Sequence, residues 1–182
     1  SVSGANISLQ SAGALPLGSL IATGNMALAS NGNITQTGPL AVSGTSAINA
    51  GAGNIALSNA SNDFSGAVTA AGANVSLQDA NTLNLTALTS TGDSDITSHG
   101  ALSFGATSVR GNLAVASGNG NITQTQTMGV SGSASFNAGS GAVALFLAFR
   151  PLRTISGSML LWMVAGFGAC TLAFAFTRTF AT

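Results

Sequence analysis

The chain contains its own copy. Asn33 to Leu57, reading NITQTGPLAVSGTSAINAGAGNIAL, returns without a gap as Asn121 to Leu145, NITQTQTMGVSGSASFNAGSGAVAL, with fourteen of the twenty-five positions identical. The match continues upstream in a register shifted by one. Gly24-Asn25-Met26-Ala27-Leu28 answers to Gly111-Asn112-Leu113-Ala114-Val115, and Gly13-Ala14-Leu15 to Gly100-Ala101-Leu102. Two copies of about 88 residues therefore cover nearly everything before residue 146. Internal duplication of this kind implies a stacked architecture, in which neighbouring units bury a core that none could bury alone.

Inside each copy runs a shorter beat, a small or turn residue followed by an alternating apolar pattern. It reads Asn6-Ile7-Ser8-Leu9, Asn25-Met26-Ala27-Leu28, Asn54-Ile55-Ala56-Leu57, Asn74-Val75-Ser76-Leu77, Asp95-Ile96-Thr97, Asn112-Leu113-Ala114-Val115 and Ala142-Val143-Ala144-Leu145. The steps are about 17 to 21 residues, or about 30 where a NITQT segment intervenes. Alternation at period two is the mark of a strand and puts Ile7 with Leu9, or Val75 with Leu77, on one face. The intervening SGT, NAGAG, SNG, TGDSD and SGNG clusters supply turn chemistry through Gly, Asn, Asp and Ser. The expected fold is all-β, a parallel solenoid (β-helix) over residues 1–145 with about seven short rungs in a rod roughly 35 Å long.

Stacking also accounts for the charges. The chain has no Lys, no Glu and no Tyr, and only 4% of its residues are charged. When coils lie about 4.8 Å apart, each side chain sits above an equivalent one, so repeated charges repel while aliphatic groups inside and Ser, Thr and Asn outside stack well. Asn at the turns is expected to hydrogen-bond to its own copies. Residues 1–145 carry all four Asp and one Arg, and residues 146–182 the other three Arg, so the formal zero is a cancellation of −3 against +3. No basic patch exists to hold nucleic acid, which is excluded as a partner.

The GNITQT, LAVSG, NAGAGNIAL and NDFSGAVTAAGANVSLQDANTLNL phrasing resembles the repetitive shaft of filamentous-haemagglutinin-like adhesins, large secreted exoproteins of Gram-negative bacteria. The resemblance covers residues 1 to about 145. It implies a right-handed β-helix on the cell surface, exported through a dedicated outer-membrane partner, that contacts glycans or proteins of host or neighbouring cells. The amino-terminal secretion domain of that family is not recognisable, no signal peptide is visible, and Ser1 is expected to mark a fragment or a processed end.

The remainder reads differently. Residues 146–154 form a junction with a basic flank. Ile155 to Phe176 is twenty-two residues without a charge, bounded by Arg150 and Arg153 before and Arg178 after. Such a run spans about 33 Å as a helix, so residues 155–176 are expected to form one C-terminal transmembrane helix, with 177–182 as a tail. Ala165, Ala169 and Ala173 beside Gly166 and Gly168 make a small-residue stripe suited to close helix packing or simply to filling space. Cys170 lies within the run as a small hydrophobe. The stretch FRPLRTISGSMLLWMVAGFGACTLAFAFTRTF is similar to a loop and helix of a major-facilitator transporter. The Arg distribution favours a cytoplasmic amino-terminal flank, opposite to what an adhesin shaft requires. Because the repeat match stops at Leu145, the chain is read as a join of two unrelated coding fragments near residues 142 to 148, with a natural anchored adhesin as the alternative.

Candidate chemistry is sparse. Asp93 and Asp95 are the only close carboxylate pair, and their spacing suits a Ca²⁺ ligand set only with further carboxylates, so a polar turn is the simpler reading. Asp63 and Asp79 each stand alone in sequence. A polysaccharide-acting enzyme on this scaffold needs paired carboxylates or an Arg or Lys base, and only Arg110 and four scattered Asp are present; His99 is read as a corner residue. Six Asn-x-Ser/Thr sequons begin at Asn6, Asn33, Asn59, Asn74, Asn84 and Asn121. No catalytic, cofactor or metal residue is assigned. The function expected is structural and adhesive, not enzymatic, with a membrane-transporter fragment as the alternative.

Overall fold

The computed structural model describes residues 1–145, which form a parallel β-solenoid of about eight turns without a helix. The first four turns carry three strands each. These are β1 (Val2–Gly4), β2 (Ile7–Ser11) and β3 (Leu15–Leu17), then β4 (Leu20–Ala22), β5 (Met26–Ser30) and β6 (Ile34–Gln36). They continue with β7 (Leu40–Val42), β8 (Ser46–Asn49) and β9 (Ile55–Leu57), then β10 (Asp63–Phe64), β11 (Ala67–Gly72) and β12 (Val75–Asp79). Two turns of two strands follow, β13 (Leu83–Ser90) with β14 (Ser94–Ser98) and β15 (Leu102–Val109) with β16 (Leu113–Ser117). The seventh holds β17 (Ile122–Gln124), β18 (Met128–Val130) and β19 (Ala134–Asn137), and β20 (Val143–Ala144) begins the eighth. The turn count is thus about eight where the sequence beat gives about seven. The helix expected at 155–176 lies outside the described residues, and among those described no helix is long and apolar enough to cross a membrane.

Every pairing is parallel, and three sheets run along the solenoid. A nine-stranded sheet contains β2, β5, β8, β11, β13, β15, β17, β18 and β20; a seven-stranded one runs β3-β6-β9-β12-β14-β16-β19; a four-stranded one, β1-β4-β7-β10, stops after the fourth turn. Successive turns place Leu15, Ile34, Ile55, Val75, Ser94, Leu113 and Ala134 in one column, a step of 19 to 21 residues.

The alternation read from the sequence decides what is inside. Leu57, Leu77, Ile96 and Val115 stack inward in one column, while Met26, Ser46, Val68, Leu85 and Phe104 do so on the nine-stranded sheet, all buried. Adjacent rungs place inward side chains at the same height, most of them apolar, so each turn extends one continuous core rather than building its own. At about 25 cal/mol per Å² of apolar surface removed from water, this shared column is the main stabilising term.

The duplicated segments occupy different sheets. Ile34–Gln36 lies in the seven-stranded sheet but its copy Ile122–Gln124 in the nine-stranded one; Ser46–Asn49 and its copy Ala134–Asn137 are exchanged in the opposite sense. The 88-residue offset between Asn33 and Asn121 corresponds to about four and a half turns, so the second copy is set half a turn around from the first. Leu15–Leu17 and Leu20–Ala22 form two strands in different sheets, whereas their copy Leu102–Val109 is one continuous eight-residue strand. The four-stranded sheet ends at β10, and the other two sheets continue past it without a break.

Candidate functional site

The corners are built by two recurring devices. One is an asparagine ladder ahead of the seven-stranded sheet. Asn33 Oδ1 accepts the Asn54 N–H at 2.9 Å, Asn54 Oδ1 that of Asn74 at 3.0 Å and Asn74 Oδ1 that of Asp93 at 2.8 Å. Asp93 Oδ1 then accepts the Asn112 N–H at 2.7 Å, and Asn112 Oδ1 that of Ser133 at 3.0 Å. Asn6, Asn25 and Thr45 repeat the device ahead of the nine-stranded sheet. The expected contact between copies exists, but its main form is side-chain oxygen to the backbone N–H one turn on; amide-to-side-chain bonds join Asn74 to Asn54 at 2.9 Å and Asn112 to Asp93 at 3.2 Å. At Gly24, Gly92 and Gly111 that oxygen reaches upward into the space a Cβ would fill, which explains the glycine at these three places, although Ala73 is accommodated before Asn74.

The second device is a serine at a strand end that closes the corner. Ser30 Oγ donates to Gly13 and Gly32 carbonyls, Ser90 Oγ to Gly92 and Ser98 Oγ to Gly100, all from buried positions. Asp79 takes this place one turn below Ser98. It is fully buried, accepts the Phe64 N–H at 3.2 Å through Oδ1 and leaves Oδ2 without a hydrogen bond. Burial pushes its carboxyl above the usual carboxylate range, and the Asp63 charge adds to this, while backbone N–H groups of Phe64, Asn81 and Ala80 act the other way. Asp63 and Asp79, solitary in sequence, are therefore neighbours in the coil. Beside them the fully buried Asn62 bonds to Gln36, Leu40 N–H, and the Leu57 and Gln78 carbonyls.

The other residues singled out in the sequence do not converge. Asp93 belongs to the ladder, and Asp95 projects from the outer face of the seven-stranded sheet between Ser76 and Ala114. His99 and Arg110 are exposed at opposite ends of β15. Among the described residues no group of three potential metal ligands occurs. Of the sequon asparagines, Asn6, Asn33, Asn74 and Asn121 accept inter-turn bonds and Asn59 closes its own turn on the Ser61 N–H. Asn84 stands exposed on the outward side of β13.

What the fold repeats outward is a surface. On the nine-stranded sheet the outward column reads Ser8, Ala27, Ala47, Thr69, Ala87, Ala106, and the next Gln10, Ala29, Asn49, Ala71, Thr89, Ser108. Twelve consecutive outward positions carry no charge, and over the first five turns they line an open trough of about 400 Å³. Sequence reasoning assigned no site here, although the period-two alternation names each of these residues as outward.

The ladders, the shared core and the uncharged outer columns define a β-solenoid repeat protein. The chain matches the family described as repeats of unknown function (DUF5649) over residues 4–71 and 93–148, and it belongs to that family. The two matched stretches correspond to the two copies, and the region between them follows the end of the four-stranded sheet. No curated protein and no solved structure matches the chain.

Proposed function

We propose that residues 1–145 are a length of surface-exposed, non-enzymatic shaft from an adhesive exoprotein of a Gram-negative bacterium, wound right-handed, that mediates cell adhesion or aggregation. The observation that carries this reading is the pair of uncharged outward columns on the nine-stranded sheet. Each turn adds two small or uncharged groups, methyl, hydroxyl or amide, at about 4.8 Å intervals, so a glycan or protein surface meets many weak, similar contacts. Linked contacts raise avidity well above the affinity of any one of them. The resemblance of the repeats to filamentous-haemagglutinin-like shafts supports the same reading, with export through an outer-membrane partner and membrane attachment through residues 155–176.

The test is adhesion of beads coated with the full chain to host-type cells and to one another. Ala47→Arg and Thr69→Arg place charges in the middle of the trough and are expected to reduce adhesion severalfold while leaving the circular dichroism spectrum unchanged. Coated beads that adhere no better than bare ones would overturn the proposal.

A further inference from the structure

The chain contains two Asn-Gly doublets, Asn31-Gly32 and Asn119-Gly120, at matching places in the two sequence copies, the first leading from the nine- to the seven-stranded sheet and the second from the seven- to the nine-stranded one. The first lies in Ser30-Asn31-Gly32-Asn33; the second has one residue more, Ser117-Gly118-Asn119-Gly120-Asn121. That extra Gly118 changes the chemistry open to the corner.

At the first corner the Gly32 N–H donates to Ser30 Oγ at 2.9 Å, and the buried hydroxyl is itself fixed by donation to the Gly13 and Gly32 carbonyls. The proton of that nitrogen is thereby engaged. At the second corner the inserted residue moves the hydroxyl out of reach of that nitrogen. Ser117 Oγ donates to the Gly120 carbonyl, and the Gly120 N–H makes no hydrogen bond among the described residues. Asn119 is exposed and, at φ 66°, is the one non-glycine residue with positive φ among the described residues. Few L-residues adopt this conformation, and asparagine is one that does. Its Oδ1 accepts the Ser140 N–H at 3.1 Å, which draws electron density from the carboxamide carbon and stabilises negative charge developing on that oxygen.

We propose that Asn119 is a self-modification site that deamidates through its junction with Gly120, and that Asn31 is its protected counterpart. The Gly120 nitrogen loses its proton to solvent base and attacks Asn119 Cγ. The Cγ–Nδ2 bond breaks, ammonia leaves after taking up a proton, and a five-membered succinimide remains. Water then opens the ring at either carbonyl, giving aspartate or isoaspartate. The net change is one amide hydrolysed by one water with no redox step. Gly120 favours the attack because it carries no Cβ to crowd its nitrogen. The isoaspartyl product lengthens the backbone by one methylene and releases the positive-φ constraint. The aspartyl product keeps an oxygen for Ser140, so the corner survives with one more negative charge.

The experiment is peptide mapping by mass spectrometry of the intact purified chain during incubation at mildly alkaline pH, with isoaspartate quantified by enzymatic methyl transfer. Conversion at Asn119 is expected to run at least about tenfold faster than at Asn31, corresponding to about 1.4 kcal/mol in barrier. Deleting Gly118, which restores the length of the first corner, is expected to slow Asn119 to the Asn31 rate. Equal rates at the two sites in the parent chain, or faster conversion at Asn31, would overturn the proposal.

Discussion

Gln36 and Asn62 face each other through both atoms of their amides. Gln36 Nε2 donates to Asn62 Oδ1 at 2.8 Å, and Asn62 Nδ2 returns a bond to Gln36 Oε1 at 2.9 Å. The pair joins the second turn to the corner where the four-stranded sheet enters its last rung, and Asn62 Oδ1 also receives the Leu40 N–H at 3.0 Å. Asn62→Ala strips partners from a buried amide and a buried N–H, so it is expected to cost about 3 kcal/mol. Urea unfolding followed by circular dichroism measures this directly. A loss below that of an exposed control such as Ser65→Ala would show that the pair does not hold the corner.

Asp79 gives stability a pH dependence of unusual sign for a carboxylate. Its pKa is raised in the folded state from an unfolded value near 3.8. The folded protein therefore binds the proton more tightly, and stability is greatest below the unfolded pKa. It falls as pH rises through the folded pKa and stays lower above it. Asp79→Asn keeps an oxygen for the Phe64 N–H and removes the buried charge, so it is expected to raise the unfolding midpoint at pH 7 and flatten the pH profile. A midpoint lowered by the substitution at pH 7 would contradict this assignment.

The ladder predicts a contrast between glycines. A Cβ at Gly111 would run into Asp93 Oδ1 and the Gly92 backbone, whereas one at Gly13 meets nothing within 4 Å. Gly111→Ala is expected to destabilise by about 2 kcal/mol or more through displacement of the neighbouring rung. Gly13→Ala is expected to be neutral or to stabilise by up to about 1 kcal/mol through the unfolded chain. Thermal melts of the two variants side by side provide the comparison.

Asp93 is the one acidic member of its column. It accepts from Asn112 but has no amide hydrogen to pass down to Asn74, as Asn74 does to Asn54. Asp93→Asn is expected to complete the chain of side-chain bonds and to stabilise by about 0.5–1 kcal/mol, and Asn74→Asp to lose a similar amount. Chemical denaturation at neutral pH separates the two, and equal shifts of the same sign would rule the ladder account out.

Much of the coil was legible because it rests on period two and on corner residues. Ile7, Met26, Ile55, Val75, Ile96 and Leu113 are buried strand residues, as their alternation requires. The beat counted one turn too few for a physical reason. The long steps, Met26 to Ile55 and Leu113 to Val143, are one and a half turns, and across each the motif changes sheet. The approach of Asp63 to Asp79 was illegible because it depends on the coil closing between residues sixteen apart, without a sequence signal of its own. The ladder was legible in kind, since Asn recurs at the corners, but its use of backbone N–H groups depends on the rise from one turn to the next.

The half-turn displacement of the second copy decides how the rod meets its surroundings. Had the duplicated unit filled a whole number of turns, Thr35 and Thr123 would share one side. Instead they project from different sheets, Thr35 from the seven-stranded and Thr123 from the nine-stranded. The two copies of the NITQT motif therefore face different ways, and no single flat surface can meet both at once.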